Sequence, residues 1–315
     1  MDIVIRKAKD CGEPFPVDGF KCEHVQGVGK ITYADNITAL KGALASNHAM
    51  KNTTYNIEYK ARAGGWEDIP AKCFKNGKNG TMKDIVHSFY TLESAPPADI
   101  KQAVFDAIPN VLRDALKDEV KFNSLLGEIN LDRLFMGDRR FLRRRQTSAQ
   151  NVPVIGIGVP VQANCNIKTD IVSIRSIVSA LAVEILEGQG YQVEIFATAY
   201  ATGQYRTSGQ SDGLQVIKIK SAGEVMAQSS ILNATSGWAF RTAIFGMIEY
   251  GGNSYGHLGS SGKLSETQCG IIKEYLPQLD DFLMLNCYPT SNDRSKAIKE
   301  AVKELVRIVK PYMKN

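Results

Sequence analysis

Apolar and polar residues follow two different periods along this chain, and the sharpest change of period lies between residues 152 and 199. Residues 152–161 (VPVIGIGVPV) carry no charge and are rich in Val, Ile and Gly, as in a strand buried on both faces. Residues 170–187 place Ile174, Ile177, Val178, Leu181, Ala182, Ile185 and Leu186 at helical spacing. Thr169 or Asp170 is available to cap that helix, and residues 188–190 (Gly-Gln-Gly) to stop it. Residues 193–199 (VEIFATA) then read as a second apolar strand. Strand, polar loop, helix and strand make a βαβ unit. The pattern predicts an α/β domain with a mostly parallel sheet from residue 151 onward. In such sheets ligands gather outside the carboxyl ends of the strands, here at residues 160–169.

The rest of the C-terminal half fits that frame. Residues 214–220 (LQVIKIK) alternate and predict a strand, placed at an edge with Lys218 and Lys220 facing out. Residues 221–234 and 237–250 read as two helices. Residues 265–276 read as a third, opened by a capping box from Ser265 to Gln268. Residues 281–287 (DFLMLNC) predict another buried strand. Residues 295–312 predict an amphipathic helix with Ile298, Val302, Leu305, Val306 and Val309 on one face.

Before residue 151 the pattern is less regular. Residues 30–34 and 55–62 read as short strands, and 37–45 and 83–92 as short helices. Residues 74–81 (FKNGKNGT) read as a basic, turn-rich loop. From residue 98 to about 121, Ile100, Val104, Ile108, Leu112 and Leu116 recur at helical spacing, and Pro109 must kink or split the helix. The division expected is an α+β region over 1–150 and an α/β domain over 151–315.

Composition narrows the class. With 43% apolar and 23% charged residues the chain is ordinary for a globular protein, and 315 residues suffice for one large domain or two smaller ones. No apolar run approaches the roughly 20 residues that span a bilayer, and the N-terminus lacks a secretion pattern. The six cysteines are scattered with no CxxC pair, as expected of free thiols in a reducing cytoplasm. The net charge of +5 is modest, but its distribution is not. Arg139, Arg140, Arg143, Arg144 and Arg145 form a dense basic cluster before the α/β domain. Such density neutralises phosphates or pairs with an acidic partner; the other reading is a solvated basic segment.

Catalytic motifs are scarce. Gly156-x-Gly158 lacks the third glycine of a dinucleotide fingerprint, and no acidic residue ends the second strand. There is no GxxxxGK[ST] phosphate loop. Ser260 and Ser261 lie near His257 without the context of a nucleophile elbow. Cys22, His24 and His48 match no zinc spacing. Trp238, Phe240 and Arg241 could stack on bases, but their helical neighbours read as core.

The succession over 152–199, and ALAVEILEGQGYQVEIFATA in particular, resembles the start of a von Willebrand factor A domain. More broadly, GWEDI at 65–69, GEINLDRLFMGDRRFL before the domain and WAFRTAIFGMIE at 238–249 are similar to a family of uncharacterised bacteriophage-encoded proteins whose C-terminal half is von Willebrand A-like. The resemblance covers most of the chain from about residue 65. It implies a three-layer, Rossmann-like domain of the kind that often binds Mg²⁺ through Asp-x-Ser-x-Ser after the first strand. Here that loop offers Asn164 and Asn166, and the later strand ends at Asn286, where an Asp would sit. A hard divalent cation normally requires at least one carboxylate. The expectation is therefore a degenerate site with no metal and no cofactor.

Similar domains assemble with partners, ring ATPases of chelatase-like systems included. The function expected is thus a non-enzymatic interaction and assembly module, self-assembly included, in the host cytoplasm and away from membranes. Asn164, Asn166, Thr169 and Asn286 are its expected contact residues, together with the loops at 160–169, 200–213 and 251–263. The alternative is nucleic-acid binding through Arg139–Arg145 and Lys75–Lys78. A hydrolase using Ser260 or Ser261 with His257 is the third reading.

Overall fold

The computed structural model describes residues 5–7, 19–26, 29–36, 39, 97–117, 122–123, 128–129, 142–143, 152–161, 167–201, 213–224, 228–235, 264–287 and 291–313. Among the described residues three strands come first: β1 (Ile5–Lys7), β2 (Phe20–Val25) and β3 (Gly29–Ala34). Two helices follow, α1 (Ala98–Ala107) and α2 (Asn110–Lys117). They are one periodic stretch divided at Pro109, whose carbonyl then accepts from Leu112 N at 3.0 Å to open α2. Three two-residue strands, β4 (Phe122–Asn123), β5 (Glu128–Ile129) and β6 (Leu142–Arg143), form a small sheet with β6 in the middle.

The main body continues with β7 (Val154–Pro160), α3 (Thr169–Gly188), β8 (Gln192–Ala201), β9 (Gly213–Lys220) and α4 (Gln228–Thr235). It ends with α5 (Glu266–Tyr275), β10 (Asp281–Met284), α6 (Arg294–Val309) and a 3₁₀ turn at Lys310–Tyr312. The large sheet has the order β1-β2-β3-β9-β8-β7-β10. Within the five-strand block from β3 to β10 every junction is parallel except β8–β9. β1 and β2 extend the sheet in antiparallel fashion beyond β3. The fold is α/β, with a mostly parallel five-strand block between two helical layers.

The two faces of the sheet are built differently. One carries Ile155, Ile157, Val159, Val193, Ile195, Ala197 and Ile217 against α1, α3, α4 and α6. The other carries Ile31, Tyr33, Phe196, Tyr200, Leu214, Val216, Phe282 and Met284 against α5. Strand alternation explains the split, and each large aliphatic buried contributes about 1.5–3 kcal/mol. On β7 the α5 face belongs to Gly156 and Gly158. A Cβ on Gly156 would meet Leu279 at 2.5 Å, and one on Gly158 would collide with Met284 and Phe282. These glycines make room for aromatic packing, and Phe196 lies 5.9 Å from Phe282 between ring centroids.

Every residue of α3 from 174 to 183 is buried. The amphipathic pattern of this helix describes only its sheet side; α1, α2, α4 and α6 close over the rest. Its ends also differ in part from expectation. Lys168 is the N-cap residue and makes no side-chain capping bond. The C-terminus ends as anticipated, with Gly190 at φ 93° and Tyr191 N donating to Leu186 O at 3.1 Å. The Ser265–Gln268 capping box is present in full. Residues 221–224 form a turn rather than the start of a helix, and α4 begins only at Gln228. The elements before residue 151 share both sheet and core with those after it: β3 pairs with β9, and Ile100 and Val104 pack in the cluster that holds α3.

Lys218 and Lys220 require a correction. β9 is not an edge strand, because β3 and β8 flank it, and neither lysine faces out. Lys220 is 2% exposed. A bulge at Ile219 sets Lys218 opposite Phe196 but Lys220 opposite Ile195. The extra residue breaks the alternation and sends the two lysines to opposite faces of the sheet.

Candidate functional site

The carboxyl ends of β7, β8 and β10 form one crest of the sheet. There Val161 N donates to Thr198 O at 2.9 Å and Leu285 N to Gly158 O at 2.9 Å, so the three strands end side by side. α3 begins at this crest, and Lys168 N donates to Asn292 Oδ1 at 2.8 Å just before α6. Arg294 bridges the first turns of three helices through Asp99 of α1 at 2.6 Å and Asp170 of α3 at 3.3 Å. This exposed pair holds the Asp99 carboxyl below the usual carboxylate range, through its hydrogen bond from Arg294.

Beneath the crest lies Arg175, only 1% exposed. Its Nη2 donates to Val161 O at 2.5 Å and to Thr235 O at 3.3 Å, tying the end of β7 to the end of α4. Next to it, Thr235 Oγ1 lies 2.6 Å from Ser176 Oγ and donates to Ile231 O at 2.7 Å. These hydroxyls serve contact between α3 and α4. A small cavity of about 20 Å³ opens between α3 and α6 beside Ile171, Arg175, Cys287 and Glu300. Burial pushes the Cys287 thiol well above its ordinary range, and its Sγ lies 3.9 Å from Ala301 O. At neutral pH it is a packed thiol rather than a thiolate nucleophile.

Of the residues singled out from sequence, Thr169 opens α3 and Asn286 follows β10, so the fold brings these two segments to the same crest. Asn286 N donates to Glu304 Oε2 at 3.3 Å. Its side-chain Oδ1 is out of water and has no hydrogen-bond partner among the described residues. Asn164 and Asn166 lie outside the described residues. So do Arg139, Arg140, Arg144, Arg145, Ser260, Ser261, His257, His48, Trp238, Phe240, Arg241 and the basic loop at 74–81. Arg143 lies in β6, in register with Phe122 and Glu128. Cys22 and His24 lie in β2, opposite Thr32 and Lys30 of β3. Among the described residues no three His, Cys, Asp or Glu side chains come together as a metal-binding group. No described helix is long and apolar enough to cross a membrane.

A second buried polar cluster occupies the opposite end of the sheet. Glu194 of β8 is 5% exposed and takes Lys218 Nζ at 3.4 Å on the α5 face, with Ala222 N at 3.3 Å. On the α3 face Lys220 Nζ meets Glu187 at 2.7 Å and donates to Val193 O at 2.9 Å.

Arg175 and these ion pairs escaped the sequence reading. Arg175 had a signal: it lies on the Ile171, Val178 and Ala182 stripe of α3, where a cation breaks the apolar pattern. The ion pairs had none, because their geometry depends on a bulge.

The profile of a family described as "Domain of unknown function (DUF7192)" matches residues 127–308, more than half of the chain. The chain belongs to the DUF7192 family. No curated protein and no solved structure matches it. The DUF7192 match runs from β5 through nearly all of α6. It thus takes in the crest, Arg175 and both buried ion pairs, while β1–β3, α1 and α2 precede it.

Proposed function

We propose that this DUF7192 chain is a non-enzymatic interaction and assembly module with a von Willebrand A-like α/β body, and that its partner seats on the crest. One observation carries the reading: the described residues on either side of 162–166, 202–212 and 236–263 converge on that end. Val161 and Ile167 bracket the first, Ala201 and Gly213 the second, and Thr235 and Leu264 the third. Ala201 and Gly213 are paired across β8 and β9. Thr235 is bonded through Arg175 to Val161, and Gln268 Nε2 near Leu264 donates to Tyr200 OH at 2.8 Å. Binding faces are usually built where the chain leaves and re-enters one end of a rigid sheet. The contact residues of this reading are Asn164, Asn166, Thr169 and Asn286.

Asn286 supports it chemically. A buried acceptor left unsatisfied costs about 1–3 kcal/mol, which a donor from a partner offsets. The test is the mass in solution of the full chain, alone and after capture of partners from its source cells. An assembly heavier than the 34.6 kDa protomer is expected, and it should dissociate on Asn286→Leu or on alanine clusters in 160–169, 200–213 and 251–263. Assembly unchanged by all of these, or a protomer that stays single and captures nothing, overturns the reading.

A further inference from the structure

The solvent face of α6 is a second surface, distinct from the crest. Lys296, Lys299, Lys303, Arg307 and Lys310 follow one another at spacings of three, four, four and three residues. At 100° per residue that spacing confines all five to a wedge about 80° wide, and at 1.5 Å per residue it spans about 21 Å. All five are exposed. Glu300 and Glu304 lie to one side of the wedge. Arg307 is engaged with Glu304 at 3.0 Å. Lys296, Lys299, Lys303 and Lys310 have no ion pair among the described residues. Each neighbouring pair along the wedge is a like-charge contact at i,i+3 or i,i+4, which disfavours a helix in water. Polyanion binding turns that repulsion into attraction.

We infer that this wedge is a docking surface for the phosphate backbone of nucleic acid. The step between successive cations is about 4.5–6 Å, short enough for each to reach a phosphate, and the line covers roughly six base-pair rises of 3.4 Å. Recognition is independent of sequence: the wedge holds no aromatic side chain for stacking and no Asn or Gln for reading base edges. A bilayer fits less well. Ile298, Val302, Leu305, Ile308 and Val309 are buried in the core, so α6 has no apolar face left to insert. This surface does not depend on the crest reading, and crest variants leave it intact.

The experiment uses the full chain and a fluorescein-labelled 20-mer as duplex DNA and as single-stranded RNA, over 25–200 mM salt. The quadruple variant Lys296→Gln, Lys299→Gln, Lys303→Gln, Lys310→Gln should bind at least tenfold more weakly at 50 mM salt. The slope of log affinity against log salt should fall by about 3–4 for duplex and about 3 for single strands. Lys21→Gln with Lys101→Gln, two exposed lysines elsewhere, should leave both quantities unchanged. A thermal melt controls for folding, and the quadruple variant should melt no lower than the parent. Equal affinity of parent and quadruple variant overturns the inference. So does loss of binding only when Arg139, Arg140, Arg143, Arg144 and Arg145 are replaced by Gln. Tighter binding to polyglutamate or to phosphatidylserine vesicles than to either 20-mer also overturns it, in favour of an acidic protein or a membrane.

Discussion

At the base of the sheet the part-buried Lys218 and the buried Lys220 meet carboxylates; at the crest Arg175 is buried against carbonyl oxygens. The base arrangement is reciprocal. Each lysine meets a glutamate, and the bulge at Ile219 assigns one pair to each face. Such pairs hold register, because a one-residue slip of β9 would exchange which lysine faces which glutamate. The crest arrangement is a tie. One guanidinium spans the ends of β7 and α4, the two N–H groups of its Nη2 serving two acceptors from different elements. Base and crest thus divide the labour of the sheet: the base fixes alignment and the crest gathers the segments that carry the candidate site.

The strongest way to break this comparison is to remove one partner at the base. Lys220→Met should cost about 3–5 kcal/mol, the usual penalty for leaving a buried charge without its partner, here Glu187. Glu187→Leu added to Lys220→Met should recover most of that loss, because no charge then remains buried. Urea denaturation midpoints measure both. If the double variant is no more stable than Lys220→Met alone, the pair does not act as a unit and the register argument fails.

A smaller effect is expected at the crest. Arg175→Met leaves the carbonyls of Val161 and Thr235 without this donor and should cost about 1–3 kcal/mol. Its distinguishing readout is local. Amide exchange should speed up in 228–235 and 154–161 while β3 and β9 keep their protection, since only the tie is cut. Uniform loss of protection across the sheet would show that Arg175 supports the whole core instead.

How much of this was legible beforehand follows from range. The βαβ succession over 152–199 was readable because it rests on local periods of two and 3.6 residues, and β7, α3 and β8 fall where those periods put them. The Ser265 capping box was readable for the same reason: all its partners lie within four residues. The alternation over 214–220 marks β9 as a strand but does not say where it lies in the sheet. Its inner place follows from pairing with β3, some 180 residues earlier in the chain, and the faces of Lys218 and Lys220 follow from a bulge and from Glu194 and Glu187. Gly156 and Gly158 are plain in the sequence, but their reason is Leu279, Phe282 and Met284, more than a hundred residues away. At the crest, Asn286 was singled out through family likeness, whereas the partnership of Arg175 with Thr235 joins positions 60 residues apart that no local pattern links.

The smallest and most selective test concerns the exposed bridge over the crest. Asp99 is held below the usual carboxylate range in the folded protein, chiefly by its hydrogen bond from Arg294. The folded state therefore binds that proton less readily than the unfolded chain. The contribution is complete above the ordinary carboxylate value of about 3.9 and is lost as pH falls through the lower, folded value. Asp99→Asn should flatten the acid limb of a stability profile below about pH 4 and leave the profile between pH 6 and 8 nearly parallel to that of the parent. Because the bridge is exposed, 0.5 M salt should shrink the difference, while the buried Lys220–Glu187 pair should keep its effect. If salt weakened both alike, the two ends of the sheet would hold their charges by the same means, and the contrast between base and crest would not stand.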